Sequence, residues 1–265
     1  MNCPKCQKPL PKGAPRVCPN CKKDLTNFYK LLEKRGEPVR AEGKKPLGRI
    51  LLIAALACLL TAAAVLLIIH FTGGSPEPLD MEKVRGEINA SQVSDFAEAD
   101  GETDYVKLTV RDFGEIVVRL RPDAAPISAR NFKDLVAQHY YDGTVFHRIY
   151  PGFMIQGGAG EIELDPIKGE FSANGIENPL LHIRGVLSMA RTSVKDSATS
   201  QFFLMHGDDS TLDGNYAAFG YIVAGLDVVD RICSETPLED NPYNGEHSVP
   251  QTEVVIESAV FVTPK

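Results

Sequence analysis

The pattern of apolar and polar positions divides the chain into distinct parts. Residues 50–69 form an unbroken apolar run, whereas residues 1–49 and 70–103 are mostly polar and interrupted by Gly and Pro. Residues 104–263 contain short apolar stretches that alternate with polar positions and end at glycine turns. Alternation with a period of two is typical of β-strands that bury one face. The C-terminal part is therefore predicted to be a mainly β domain.

Within that domain the pattern predicts short strands and two helices. The first helix is predicted to be capped by Asp123, to have Pro126 in its first turn and to run to about Gln138, with Ile127 and Phe132 toward the core. The second is a short helix at residues 227–232. Strands are predicted at 105–110, 116–120, 144–148, 153–156, 185–190, 202–205, 218–222 and 254–262. This combination indicates a β-barrel with two helices, although periodicity alone leaves the strand order open.

The apolar run at residues 50–69 contains twenty residues and no charge. At about 1.5 Å per residue a helix of this length spans about 30 Å, the thickness of the hydrocarbon core of a bilayer. A buried core helix is one alternative. A signal peptide is another, but its apolar region usually has about 7–15 residues and lies nearer the N-terminus. A lipidated Cys58 is a third. We predict a single transmembrane helix.

Charge predicts the orientation of this helix. Residues 1–49 carry 13 Lys and Arg against 4 Asp and Glu, a net charge of +9, and residues 50–265 carry 15 against 31, a net charge of −16. Because basic flanks stay in the cytoplasm, the N-terminus is predicted to be cytoplasmic and the C-terminal domain to lie outside the cell membrane. The basic residues 27–49 and the acidic residues 70–103 are interpreted as linkers, and no nucleic-acid partner is expected.

Four cysteines near the N-terminus form two CxxC pairs separated by eleven residues, Cys3, Cys6, Cys18 and Cys21. Two such pairs can close a tetrahedral zinc site, and four thiolate ligands leave no open position for catalysis. Disulfides are the alternative, but a cytoplasmic location is reducing. We therefore predict a structural zinc ribbon at residues 1–26, with an unknown partner, and no cofactor for catalysis.

Three blocks of residues in the C-terminal domain occur in a recognisable order and spacing. The blocks are VFHRI at 145–149 with PGFMIQGG at 151–158, GVLSMAR at 185–191 with SQFF at 200–203, and LDGNYAAFG at 212–220. Together they resemble the cyclophilins, which are peptidyl-prolyl cis-trans isomerases, over roughly residues 104–262. The resemblance implies an eight-stranded antiparallel β-barrel capped by two helices, and proline-containing polypeptides as substrates.

The reaction itself indicates which residue types to expect. An X-Pro bond isomerises over a barrier of about 18–20 kcal/mol because its C–N bond is partly double. A catalyst needs an apolar pocket for the proline ring and a hydrogen-bond donor directed at the imide nitrogen. Because that nitrogen can accept a hydrogen bond only when the peptide bond is twisted, the donor binds the transition state more tightly than the substrate. Arg148 is the candidate donor, and Gln156 is expected either to hold a substrate carbonyl or to position Arg148. By resemblance, the substrate-binding residues are Phe153, Met154, Ala190, Phe203, Leu212 and Tyr216.

Two positions depart from the pattern of many eukaryotic cyclophilins. Thr211 stands where those members have a tryptophan that helps to bind cyclosporin, so strong cyclosporin sensitivity is doubtful. Tyr216 replaces a histidine at the rim of the pocket. The sequence thus predicts a membrane-anchored isomerase that assists exported or cell-surface proteins. The alternatives are a non-catalytic module that binds prolyl peptides, and a sensor whose working part is the zinc ribbon.

Overall fold

The structure, a computed structural model, describes residues 79–265. The predicted zinc ribbon (1–26), basic linker (27–49) and transmembrane helix (50–69) lie outside these residues. Among the residues that are described, no helix has the length and apolar character needed to cross a membrane.

The described residues form three α-helices and eleven β-strands. The helices are α1 (Met81–Glu87), α2 (Pro126–Ala137) and α3 (Leu226–Glu235). The strands are β1 (Phe96–Glu98), β2 (Tyr105–Val110), β3 (Gly114–Leu120), β4 (Val145–Tyr150), β5 (Met154–Gly157), β6 (Val186–Met189), β7 (Phe202–Met205), β8 (Ala218–Ala224), β9 (Leu238–Asp240), β10 (His247–Pro250) and β11 (Val254–Pro264).

Eight of these strands close a barrel in which all neighbours are antiparallel. The order is β11-β2-β3-β8-β6-β7-β5-β4, and β4 pairs again with β11. The start of β11, Val254 and Val255, pairs with β4, and the remainder pairs with β2 from Ile256 onward, with a register shift between Ile256 and Ser258. Such an irregularity bends a strand and lets one strand close the ring. The predicted eight-stranded antiparallel barrel is confirmed.

The interior of the barrel is a continuous apolar core. Alternate residues of the strands enter it, and four aromatic rings, Phe132, Tyr141, Phe202 and Phe219, pack there with centroid separations of about 5 Å. Helix α2 contributes Phe132 and packs against β8 and β11, while α3 packs against β3 and β4. The two predicted helices are therefore present and bury their apolar faces on the barrel.

The ordered domain begins nearer the N-terminus than the predicted boundary at residue 104. Helix α1 packs Val84, which is 1% exposed, onto the outside of the barrel, and β1 extends the sheet by pairing with β11. The amides of Asn89 and Ser91 donate to the carbonyls of Ile222 and Val223. Residues 81–98 are therefore part of the domain. Their few apolar residues are dispersed among acidic ones, which made the segment resemble a linker.

The start of α2 also differs from the prediction. The helix begins at Pro126 with Ala125 as its N-cap, and no side chain at that position caps it. Asp123 instead pairs with Arg121. The free amides of the first turn are bound by the buried carboxylate of Glu170, which is distant in sequence. Sequence proximity therefore identified the wrong capping residue.

Candidate active site

Strand register brings three of the predicted site residues together. Arg148 on β4 is paired with Gln156 on β5, and Gln156 is paired with Phe203 on β7. Directly paired residues in antiparallel strands project from the same face of a sheet. The neighbouring residues along the strands, Ile155 beside Gln156 and Leu204 beside Phe203, point into the barrel core. Because successive residues of a strand face opposite sides, the row of three side chains lies on the outside of the barrel wall.

A small pocket with a cavity volume of about 120 Å³ opens beside this row. All of the catalytic and substrate-binding residues predicted from the sequence line it, together with Arg191. The lining residues are Arg148, Phe153, Met154, Gln156, Ala190, Arg191, Phe203, Leu212 and Tyr216.

The floor of the pocket is apolar and supported from behind. Phe203 is 5% exposed and Met154 is 1% exposed. Tyr216 packs edge-on against Phe203, with 5.8 Å between ring centroids, and the ring of His182 stacks on Phe203 at 6.0 Å. His182 bonds Asp213 and Ser188 through its two ring nitrogens, and burial lowers the pKa of His182. The floor is therefore held by a neutral, fully hydrogen-bonded imidazole.

Arg148 is held in one orientation by an acidic partner. Its Nε and Nη2 atoms donate to the two carboxylate oxygens of Glu246 at 2.6 and 2.7 Å. Its Nη1 atom is turned toward Gln156, whose Oε1 atom lies 3.5 Å away. The hydrogen bonds with Glu246 raise the pKa of Arg148 and lower the pKa of Glu246. The guanidinium is thus charged, and Nη1 is the group nearest Gln156, which also lines the pocket.

Two further contacts define the rim. The Gln156 amide donates to Oε1 of Gln201 at 3.0 Å, and the backbone of Ala190 is fixed by its own bond to the Gln201 carbonyl. Arg191 donates to the Asn215 carbonyl through Nε and Nη2 and lies 4.5 Å from the centre of the Tyr216 ring. A cation over an aromatic face is attractive, so Arg191 holds Tyr216 at the rim.

Sequence reasoning missed Arg191, Glu246 and the strand pair that carries Glu246. Arg191 directly follows Ala190 within a recognised block, so its position there could have marked it. Glu246 stands 98 residues from Arg148. It follows a segment rich in Pro, Asn and Gly that has no strand periodicity. No local signal connects such a residue with the site.

Comparisons with known proteins agree with this geometry. Residues 105–260, more than half of the chain, match the family described as cyclophilin type peptidyl-prolyl cis-trans isomerase/CLD. Peptidyl-prolyl cis-trans isomerase A of Dickeya dadantii (strain 3937) is 41% identical over 160 residues, covering 56% of this chain and 80% of that protein. Isomerase B of Escherichia coli (strain K12) is 38% identical over 160 residues, 55% of this chain and 92% of that one.

A solved structure shows the same likeness. The crystal structure of a Cryptosporidium parvum cyclophilin type isomerase, obtained in the presence of the dipeptide Ala-Pro, matches with a TM-score of 0.50 at 25% identity. The match covers 60% of this chain and 99% of that one. The barrel, the pocket on its outer wall and the family match lead to one conclusion: this chain belongs to the cyclophilin-type peptidyl-prolyl cis-trans isomerases.

Proposed function

We propose that Arg148 accelerates X-Pro isomerisation by stabilising the twisted transition state. When the peptide bond rotates out of plane, conjugation is lost and the nitrogen lone pair can accept a hydrogen bond. A donor placed for that moment binds the transition state more tightly than either planar isomer. The observation that carries the proposal is the orientation of Arg148, whose Nε and Nη2 bind Glu246 while Nη1 lies nearest Gln156, another residue that lines the pocket.

The proline ring would occupy the apolar floor. Phe203 and Met154 form a surface that offers no competing hydrogen bonds, and Phe153 and Leu212 line its sides. The Arg148 guanidinium lies 5.8 Å from the centre of the Phe153 ring, so the donor and the apolar wall are adjacent. The likeness to a cyclophilin structure obtained with Ala-Pro supports a prolyl dipeptide as the unit that this pocket accepts.

The flanking peptide would be held by the polar rim. Gln156 has its amide nitrogen fixed by Gln201, so its oxygen and the Arg148 Nη1 group face the same space. Ala190 presents backbone next to this pair, where it can align the residue that precedes proline. Tyr216 completes the rim. These contacts would orient the substrate, while the chemistry requires no nucleophile and no metal.

The test of this function is the rate of cis–trans exchange in a short Ala-Pro peptide, followed by NMR with catalytic amounts of the full chain. The uncatalysed exchange takes tens to hundreds of seconds. We expect the wild type to accelerate the exchange strongly. Phe203→Ala, which removes the floor of the pocket, should lose most of that acceleration. The non-catalytic alternative expects the peptide to bind without any acceleration.

We further propose that the enzyme is anchored in the cell membrane and acts outside the cytoplasm on exported or cell-surface proteins. The support is the uncharged run at residues 50–69 and the charge difference across it, +9 before the run and −16 for the remainder of the chain. Protease added to intact cells should remove the isomerase domain and leave the N-terminal residues protected. Protection of both ends would contradict this topology.

A structural zinc ion in residues 1–26 is the third part of the proposal. It rests on the spacing of Cys3, Cys6, Cys18 and Cys21, which suits a closed four-thiolate site. A ribbon of this size has little core and should depend on its metal for folding. Elemental analysis of the purified full chain should find one zinc per chain, and Cys3→Ser with Cys6→Ser should abolish it. If cells lose function while isomerase activity persists in this variant, the sensor hypothesis is favoured.

A further inference from the structure

The β9–β10 hairpin supplies the residue that touches Arg148 most closely. Glu246 lies at the end of the loop between these strands, and β10 packs beside β4, the strand of Arg148. Both side chains are partly shielded, with 33% exposure for Arg148 and 19% for Glu246. A two-pronged contact of this kind is the strongest geometry available to an arginine and a carboxylate. It is therefore more than an exposed surface ion pair.

The loop is built to present this carboxylate. The backbone N–H of Asn241 donates to the backbone carbonyl of Glu246 at 2.7 Å, and the backbone N–H of Glu246 donates to Oδ1 of Asn244 at 3.0 Å. Gly245 adopts a φ of +73°, a left-handed conformation that favours glycine. These bonds fix the backbone on both sides of Glu246, so the carboxylate is positioned before substrate arrives.

We propose that Glu246 is a positioning residue for the isomerase reaction. An arginine side chain has many rotamers, and holding it in one of them costs side-chain entropy. By binding Nε and Nη2 at once, Glu246 fixes the plane of the guanidinium and directs Nη1 to the pocket. The weaker contacts of Arg148, at 3.5 Å to Gln156 and over the Phe153 ring, cannot define that plane.

This inference rests on the proposed role of Arg148 and can fail separately from it. The two roles predict different kinetic effects. Loss of Glu246 leaves the pocket and the arginine in place, so substrate binding should persist while the reactive geometry becomes rare. The opposite role, in which the carboxylate restrains the arginine away from substrate, predicts a different result. In that case removal of Glu246 would raise the rate.

The experiment compares the full-chain variants Glu246→Gln, Glu246→Asp and the control Glu239→Gln in peptide exchange assays. Glu239 lies on the same hairpin and makes no ion pair within residues 79–265. We expect Glu246→Gln to lower kcat about tenfold, which corresponds to about 1.4 kcal/mol, with KM within twofold. Glu246→Asp, which keeps the charge, should recover part of the loss. The control should match the wild type.

A spectroscopic measurement separates positioning from a general structural role. In ¹⁵N NMR spectra the Arg148 Nε–H group should exchange slowly with water in the wild type, and quickly in Glu246→Gln, while backbone signals of the barrel remain unchanged. The inference is overturned if Nε–H protection is lost and kcat stays within twofold of the wild type or rises. Arg148→Ala is measured alongside. If it also keeps full activity, the proposed function fails rather than the role of Glu246 alone.

Discussion

Replacement of Glu170 should destabilise the domain without altering the active site. Glu170 is 1% exposed, and its carboxylate accepts three hydrogen bonds at the start of helix α2. The donors are the Ile127 amide at 2.9 Å, the Ser128 amide at 2.7 Å and the Ser128 hydroxyl at 2.7 Å. The first turn of a helix has free amides and a partial positive charge, so a buried carboxylate there is well placed.

The size of the destabilisation follows from the hydrogen-bond donors that Glu170→Ala would leave without an acceptor. Each buried donor left unsatisfied costs about 1–3 kcal/mol, and the Ile127 amide is nearer to solvent than the two donors of Ser128. We expect a loss of about 3–5 kcal/mol in the free energy of unfolding. At about 2–4 °C per kcal/mol for a domain of about 150–250 residues, this is a fall in Tm of about 6–20 °C. Glu170→Gln keeps one acceptor oxygen and should lose about half as much.

The assay is urea unfolding of the full chain, followed by a probe of the C-terminal domain, with Ser128→Ala as the matched control. Ser128→Ala removes only the hydroxyl contact and should cost about 1 kcal/mol. Because Glu170 does not line the pocket, kcat/KM well below Tm should stay near that of the wild type. A loss under 1 kcal/mol for Glu170→Ala would refute the assignment of this residue as the cap of α2.

Three further predictions concern other parts of the domain. A fragment of residues 100–265 should be less stable in urea than residues 79–265 by at least about 2 kcal/mol, because it loses the burial of Val84; equal midpoints would contradict this. Gly225→Ala should lower the free energy of unfolding by about 1–3 kcal/mol or more, and Tm with it. The φ of Gly225 is +83°, and an added Cβ would lie 2.2 Å from the Glu115 carbonyl oxygen. The folded pKa of His182 lies below its unfolded value near 6.5, so the unfolded state binds the extra proton and stability falls as pH drops below about 6.5. His182→Gln should show a smaller difference in unfolding free energy between pH 7 and pH 5.5, and an unchanged difference would contradict this assignment.

The parts of the fold that local patterning predicted are those whose burial alternates along one strand. Tyr105–Val110 alternates between partly buried and fully buried positions, as its sequence suggests. Ile127 shows the limit of this reasoning. It was expected to face the core but is 40% exposed, because it lies beside the buried face of α2, which is formed by Ser128, Ala129, Phe132, Leu135 and Val136.

The candidate site was predictable where its residues are adjacent in sequence and not where distant segments meet. Arg148 and Gln156 occur in one block and become neighbours through a tight strand pair. Glu246 reaches Arg148 across 98 positions, and Glu170 reaches Ser128 across 42. Such contacts form only when the barrel closes, and the local alternation of apolar and polar residues does not predict them. The same holds for α1, whose buried face is defined only by the strands that it covers.

We propose above that Arg148 acts on the transition state rather than on substrate binding. The most direct measurement is kcat/KM for a short Ala-Pro peptide together with the Kd of the same peptide, in the wild type, Arg148→Ala and Arg148→Lys. Arg111→Ala is the matched control, because Arg111 is an exposed arginine that pairs with Glu257 away from the pocket.

Removal of one such donor costs about 10²–10³ in rate in enzymes that stabilise charge in the transition state. We predict a loss of that order in kcat/KM for Arg148→Ala, a Kd within about threefold of the wild type, and little recovery in Arg148→Lys, which lacks the planar fork. A folded Arg148→Ala variant whose kcat/KM stays within threefold of the Arg111→Ala control would contradict it.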